Sequence, residues 1–135
     1  MERHDWVREF AAGVTVCDTK GIITEMNDRS AQMFRERGGR ALIGSNVLDC
    51  HPEPARTKLA QLMELRRAST YTTEKGGRRR LIHQAPWVRD GRYAGFVEIV
   101  LELPETMPHF VRDAPEREPP SPGLQPGEGP ALPAD

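Results

Sequence analysis

The sequence predicts an α+β domain built on a five-stranded antiparallel sheet, with short helices packed on one face. Two strand-like stretches stand near the N-terminus, short helical patterns follow, and three strand-like stretches end the domain. Strands grouped in this way are typical of an antiparallel sheet with its helices on one side. The chain has 135 residues and is 37% hydrophobic, which suits a single domain with one core.

The charge balance excludes several classes of partner. Lys and Arg total 19 against 20 Asp and Glu, so the chain has no overall field that would attract nucleic acid or an anionic membrane. No apolar stretch approaches the roughly 20 residues that span a bilayer. The two cysteines are far apart, and no apolar N-terminal signal region precedes them, which fits a reducing cytoplasm better than a disulfide-bonded protein. We therefore expect a cytoplasmic protein that binds neither nucleic acid nor membrane.

Composition divides the chain into three regions. Residues 1–12 form an N-terminal amphipathic helix, residues 13–103 the domain, and residues 104–135 a Pro-rich tail that we expect to be disordered. Nine of the 12 prolines follow Leu103, and such a tail cannot bury enough apolar surface to offset its ordering entropy.

The N-terminal helix is predicted within "HDWVREFAAG". Asp5 can cap it, Val7, Phe10 and Ala11 share a face, and Gly13 would end it.

The first hairpin and the second helix follow. "VTVCD" and "IITEM" flank "TKG", which predicts two strands joined by a short turn. "NDRSAQMFRERGG" then predicts a short helix capped by Asn27 or Asp28.

A longer helix is predicted in "PEPARTKLAQLMELRRA". Pro52 suits its first turn, where a missing N–H is harmless. The residues expected on its apolar face are Ala55, Leu59, Leu62 and Met63.

Residues 69–103 predict three strands joined at "KGG" and at "RDGRYAG". The final strand alternates apolar residues with Glu98 and Glu102, a pattern typical of a sheet with one buried face. The apolar members are Val97, Ile99, Leu101 and Leu103.

The strand before it leaves two alternatives, because both of its faces are about equally apolar. If Leu81, His83, Ala85 and Trp87 point inward, His83 and Trp87 line a pocket. If Ile82, Gln84, Pro86 and Val88 do, Gln84 is the polar group inside, and a small hydrogen-bonding ligand is favoured.

These stretches resemble a PAS domain, a small sensory module with a five-stranded antiparallel sheet and a helical cradle. The resemblance covers roughly residues 8–103. It is carried by Asp18 with Gly21-Ile22, Asn27, Ala31 and Phe34, Ile43-Gly44, Pro86, Asp90-Gly91 and "GFVE" at 95–98.

The resemblance implies a sensory or signalling function but no single cofactor, because such domains bind haem, flavin, small acids, metals or nothing. Flavin photoreceptors of this family carry a reactive cysteine in an "NCRFLQ"-like helix. Val47 stands at that position in "SNVLDCH", so cysteinyl-flavin chemistry is not expected.

"LDCHPEP" supplies the main candidate site, Cys50 and His51. Pro52 favours an extended His51, and histidine is a poor helix cap, so helix chemistry does not account for it. In the resembling fold this junction borders the ligand cleft. One alternative is a half-exposed histidine beside a buried Cys50. The other is a ligand contact, with haem the leading cofactor candidate and His51 its iron ligand.

Catalysis is not expected, because the sequence has no nucleophile elbow, phosphate-binding loop or HExxH motif. Paired Cys/His spacing for a structural zinc is also missing. The arginines of "KGGRRR" are expected to form the solvated rim of a hairpin. The alternatives are that they pair with an acidic partner or with ligand carboxylates.

The sequence therefore predicts a sensor that binds a small ligand or cofactor and signals by contact with a protein that supplies the output. Its candidate ligand-contacting residues are His51, Cys50, His83, Trp87, Gln84 and Asn27. The alternative is a ligand-free interaction module, a homodimer built on the N-terminal helix and the exposed sheet face.

Overall fold

A computed structural model describes residues 5–113 of the chain. It contains a five-stranded antiparallel sheet with the spatial order β2-β1-β5-β4-β3. The predicted fold class is confirmed. The elements are α1 (Asp5–Arg8), β1 (Gly13–Cys17), β2 (Ile23–Met26), α2 (Asp28–Met33), α3 (Ala55–Leu65), β3 (Ser69–Lys75), β4 (Arg78–Arg89) and β5 (Arg92–Glu102), with 3-10 turns at Arg35–Arg37, Gly39–Leu42 and Val47–Cys50.

The helices cover one face of the sheet. Thr15 and Cys17 of β1 are buried beneath them, and the Thr15 hydroxyl is hydrogen-bonded to that of Ser30 in α2. Val14 and Val16 alternate with them and are half-buried on the opposite, outer face. The apolar core under the helices consists of Cys17, Ile23, Met26, Val47, Cys50, Leu59 and Phe96.

Asn27 joins three segments through its side chain. Its Nδ2 donates to the carbonyls of Val7 and Ala12 at 2.9 and 2.7 Å. Its Oδ1 accepts from the backbone N–H of Val14 at 2.9 Å and of Ser30 at 3.0 Å, the latter as the N-cap of α2. These four bonds occupy the amide of a buried residue. The structure therefore gives Asn27, predicted to contact a ligand, a structural role.

The N-terminal helix is shorter than predicted. It ends at Arg8, Phe10 is 50% exposed, and Gly13 begins β1 instead of ending the helix. The reason lies in Asn27, whose bonds to the carbonyls of Val7 and Ala12 hold the chain on its path into β1.

The longer helix begins later than predicted. Pro52 lies outside it, and Pro54 is its N-cap residue. A proline disfavours the helical conformation in the residue before it, so Pro54 keeps the helix from extending back through Glu53. Leu59 is buried as predicted, and Leu62 and Met63 pack against the core.

The closing hairpin has a tighter turn than predicted. Asp90 and Gly91 have φ angles of 50° and 79° and form a two-residue connection, so β5 begins at Arg92 instead of Gly95. Gly95 lies inside the strand with φ of 146°, and a Cβ there would stand 1.9 Å from the Cys17 carbonyl oxygen. The same carbonyl accepts a hydrogen bond from Trp87 Nε1 at 3.1 Å.

Residues 104–113 contain no helix or strand. The rest of the predicted tail, residues 114–135, and residues 1–4 lie outside the described residues. None of the helices in the described part of the chain is long and apolar enough to cross a membrane.

Replacing Gly95 with alanine tests the close contact with β1. We expect Gly95→Ala to lower the free energy of unfolding by about 3 kcal/mol or more, because strain at a positive φ is added to a clash with backbone. Gly44→Ala is the matched control, since Gly44 has φ of 98° but nothing within 4 Å of the added carbon. Urea denaturation measures both, and equal losses would contradict the contact.

Candidate functional site

The structure resolves which face of β4 points toward the helices. Ile82 and Gln84 are buried at 7% and 4% exposure on the helix-covered face. His83 lies on the outer face, where its Nδ1 is 2.8 Å from the Thr70 hydroxyl. Trp87 belongs to the same outward set and reaches across Gly95 to the Cys17 carbonyl. The second alternative is therefore the observed one, and His83 and Trp87 lie away from the cleft.

The faces of β5 are the reverse of what its apolar pattern suggests. Phe96 and Glu98 point under the helices, and only 13% of the Glu98 side chain is exposed. The apolar Val97, Ile99 and Leu101 are half-buried on the outer face. The alternation of residue types along β5 shows only that its two faces differ. Glu98 can lie on the covered face because it has hydrogen-bonding and ionic partners there.

Those partners form a buried polar cluster of three side chains. Gln84 lies opposite Glu98 in the β4–β5 register, and its Nε2 donates to Glu98 Oε2 at 2.7 Å. His51 approaches from the helical side and places its Nε2 3.5 Å from the same oxygen. We call His51, Gln84 and Glu98 the polar cluster. It joins the helical segment to the two central strands β4 and β5.

The hydrogen bonds of His51 fix its protonation state. Its Nδ1 is 2.9 Å from the Val47 carbonyl oxygen, which can only accept, so Nδ1 carries a proton. A neutral ring would then direct the Nε2 lone pair at the carboxylate of Glu98. A second proton on Nε2 removes this repulsion, so the cluster contains an imidazolium facing a carboxylate.

The pKa values have the directions that this pair requires. Burial opposes the charge on His51, but hydrogen bonds with Cys50, Glu98 and Val47, and the charge of Glu98, raise its pKa to about 10. Burial also opposes the charge on Glu98, while the contacts with His51 and Gln84 hold its pKa below the usual range. The two charges stabilise each other in a site that would otherwise exclude both.

His51 owes its position to the turn before it. The 3-10 turn Val47–Cys50 is capped by Asn46, and His51 follows with the extended backbone that Pro52 predicts. The side chain is not half-exposed, since only 8% of the residue is accessible. Cys50 is buried as predicted, and its thiol donates to the Val47 carbonyl at 3.1 Å.

Two open clefts reach the polar cluster from the surface. The first, of about 430 Å³, lies between α3 and β3, and Gln84 forms part of its floor. The second, of about 320 Å³, contains both His51 and Glu98, and we call it the His51 cleft. Of the predicted site residues, the structure brings Cys50, His51 and Gln84 to these clefts. The walls of the His51 cleft are Met33, Phe34, Glu36, Arg37, Cys50, Pro52, Thr73, Arg80, Ile82 and Val100.

The candidate haem ligand does not fit an axial position in this arrangement. Both ring nitrogens of His51 are engaged, one by Val47 and one by Glu98. Iron ligation would require a neutral ring with a free nitrogen. Within residues 5–113, no group of three or more His, Cys, Asp or Glu side chains could hold a metal ion. His51 is therefore not placed to ligate haem iron in this arrangement, and haem binding stays a prediction.

Glu98 is the site residue that sequence reasoning missed. The alternating pattern of the final strand groups it with Glu102 on a polar face. The turn Asp90-Gly91 sets Val88 opposite Tyr93, and this register continued along the hairpin would place Gln84 opposite Val97. A register shift between Trp87 and Val88 moves the pairing by one residue and brings Glu98 opposite Gln84. Without knowledge of this shift, an inward Gln84 does not identify Glu98 as its partner.

Comparison with known proteins shows a PAS-like fold. The chain matches no protein-family model and no curated protein. Among solved structures, it is similar to a C-terminal domain from Streptococcus mutans, with 20% identity, a TM-score of 0.60, and coverage of 71% of this chain and 78% of that one. It is also similar to the PAS domain of BvgS from Bordetella pertussis, with 14% identity, a TM-score of 0.58, and coverage of 75% and 83%.

A third similar structure is the Aer2 receptor of Vibrio cholerae, described as a dual PAS-haem oxygen sensor. It is 14% identical, with a TM-score of 0.51 and coverage of 67% of this chain and 93% of that one. PAS domains of sensor histidine kinases are among the other matches. The fold is thus that of sensory modules in signalling proteins, and at these identities the comparison establishes the fold alone.

The stability of the polar cluster should depend on pH with a defined sign. The raised pKa of His51 contributes stability that is complete below its unfolded value of 6.5 and is lost as pH rises toward about 10. The lowered pKa of Glu98 contributes stability that is complete above 4.5 and is lost as pH falls. Glu98→Gln should therefore cost most between pH 4.5 and 6.5, about 3 kcal/mol, and progressively less above that window.

Urea denaturation of wild type and Glu98→Gln at pH 6, 7.5 and 9 measures this difference. Glu102→Gln is the control, because Glu102 lies on the same strand and its ion pair, with the exposed Arg78 at 3.6 Å, is at the surface. A cost of Glu98→Gln that does not change with pH would contradict the imidazolium–carboxylate pair.

Proposed function

We propose that the protein is a PAS-type sensory module that binds a small hydrogen-bonding molecule at the polar cluster and signals through contact with a partner protein. The observation that carries this proposal is the placement of His51, Gln84 and Glu98 where two clefts meet the core. Burying charged groups costs free energy, and apolar side chains in their place would often give an equally stable core.

The cluster has hydrogen-bonding capacity left for a ligand. Within the described residues, Gln84 and Glu98 bond to each other through Nε2 and Oε2, and no hydrogen bond uses the Oε1 atom of either. These two acceptors favour a ligand that carries at least one donor.

The signal would leave through the segments that the cluster joins. His51 is held between the turn Val47–Cys50 and α3, and its contact with Glu98 ties that segment to β5. A ligand that binds one arrangement of this contact better than another shifts the population of the helical segment. A partner protein that supplies the output would then bind the two populations differently.

A second candidate function is a ligand-free homodimer, and the outer sheet face favours it. Its central part is apolar and half-buried, consisting of Val14, Val16, Leu81, Ala85, Val97, Ile99 and Leu101. Trp6 and Phe10 of the N-terminal segment are 67% and 50% exposed and stack edge to face. Contiguous apolar patches of this kind mark interaction surfaces, and a second copy offers a self-complementary partner.

Native mass spectrometry of the protein purified from its host tests both candidates, together with its absorption spectrum. The sensor function predicts a small non-covalent adduct in the wild type that is at least tenfold depleted in Gln84→Leu and retained in His83→Leu, the neighbour on the opposite face. A haem ligand would show a Soret band, lost in His51→Ala if His51 is its axial ligand.

The dimer function predicts instead twice the chain mass without an adduct, converted to monomer by Ile99→Lys but not by Met107→Lys. Met107 is a matched apolar control because it is 59% exposed and lies beyond the sheet. A bare monomer in every preparation would contradict both functions.

A further inference from the structure

The arginines around the His51 cleft differ in their partners. Arg40 pairs with Asp28, and Arg78 lies 3.6 Å from Glu102. Arg37 and Arg80 both line the His51 cleft, and neither makes an ion pair within the described part of the chain. Among residues 5–113, no carboxylate lies within ion-pair distance of either guanidinium group, although Glu102 is opposite Arg80 in the β4–β5 register.

These two arginines belong to opposite walls of the cleft. Arg37 ends the 3-10 turn Arg35–Arg37 that follows α2, while Arg80 belongs to β4. Alternation along β4 places Arg80 on the same face as the buried Ile82 and Gln84, with Arg79 on the other face. Two donors on opposite walls suit an anion bound between them.

The charge inside the cleft supports the same conclusion. The lining contains three cations, Arg37, Arg80 and His51, and two carboxylates, Glu36 and Glu98. The charge of Glu98 is already satisfied by His51 and Gln84. The lining thus keeps an excess of one positive charge, which favours a ligand with about one negative charge.

The remaining walls are largely apolar. Met33, Phe34, Ile82 and Val100 contribute hydrocarbon and aromatic surface, and the volume is about 320 Å³. A bare inorganic anion would leave these surfaces in contact with water, whereas a ligand with an apolar body would bury them.

We propose that the His51 cleft binds a small organic monocarboxylate that also carries a hydrogen-bond donor. Its carboxylate would lie between Arg37 and Arg80, its apolar body against Phe34 and Ile82, and its donor toward the Oε1 atom of Glu98. This inference rests on the proposed sensory function and names the chemical class of its ligand. The proposal also gives two arginines of "KGGRRR" different roles. Arg80 would bind the ligand, whereas Arg78 pairs with Glu102 of the protein itself.

Three probes of matched size or charge test the proposal in the full-length chain labelled with ¹⁵N. Hexanoate carries the anion and the apolar body, which are the two parts of the ligand that the arginines and the apolar walls would bind. Hexanamide carries the same body with a neutral amide in place of the anion, and inorganic phosphate carries the anion without the body. Chemical-shift titrations with each probe give the dissociation constant and the site of binding. They are run on wild type, on Arg37→Gln and Arg80→Gln, and on Arg79→Gln, which removes the same charge from the opposite face of the same strand.

The proposal predicts that hexanoate shifts resonances around Phe34, Thr73 and Ile82. Loss of either lining arginine should weaken hexanoate about tenfold, as expected for a lost charged hydrogen bond, while Arg79→Gln leaves it within twofold. Hexanamide and phosphate should each bind at least tenfold more weakly than hexanoate.

Three outcomes would overturn the proposal. If hexanamide binds as tightly as hexanoate in this cleft, the anionic class is wrong and the ligand-binding function stands. If phosphate equals hexanoate, the apolar body is wrong. If none of the probes shifts the cleft resonances, the carboxylate class fails, whereas the proposed sensory function is judged separately by the adduct that co-purifies with the native protein.

Discussion

The carboxylate of Glu98 constrains the rest of this structure. It lies on the covered face of a central strand, where an unpaired charge would cost several kcal/mol, and it is retained because Gln84 and protonated His51 bind one of its oxygens. His51 reaches this oxygen because the turn Val47–Cys50 precedes it, and the Val47 carbonyl of that turn orients the ring. The two clefts lie where the helices leave the polar cluster uncovered.

The sequence predicted the fold well because the relevant signals are local. Asn27 at a helix start, Asp90-Gly91 at a hairpin and alternation in β5 each act over a few residues, and together they specify the order of the elements. The errors are at boundaries. Pro54 moves the start of α3, and the distant Asn27 side chain shortens α1.

The site was only partly predictable, because it depends on contacts between distant segments. Cys50, His51 and Gln84 were identified by residue type, but the inward face of β4 could not be chosen from a pattern that is apolar on both sides. The alternation in β5 favoured the face that is in fact the outer one. Glu98 is 47 positions from His51 and was therefore not recognised as its partner. Asn27 is the helix cap that the sequence predicts. Its predicted contact with a ligand stays a prediction, and its four hydrogen bonds join segments of the fold.

The protonation state of His51 tests whether the buried imidazolium–carboxylate pair exists. Nitrogen chemical shifts of the ¹⁵N-labelled ring at pH 8 distinguish the imidazolium from either neutral tautomer, with Glu98→Gln as the reference. We expect an imidazolium in wild type, since the pKa of His51 is raised to about 10. In Glu98→Gln we expect a neutral ring with its proton on Nδ1. A neutral His51 in wild type at pH 8 would contradict the buried pair, and with it the polar cluster as the organising feature of the site.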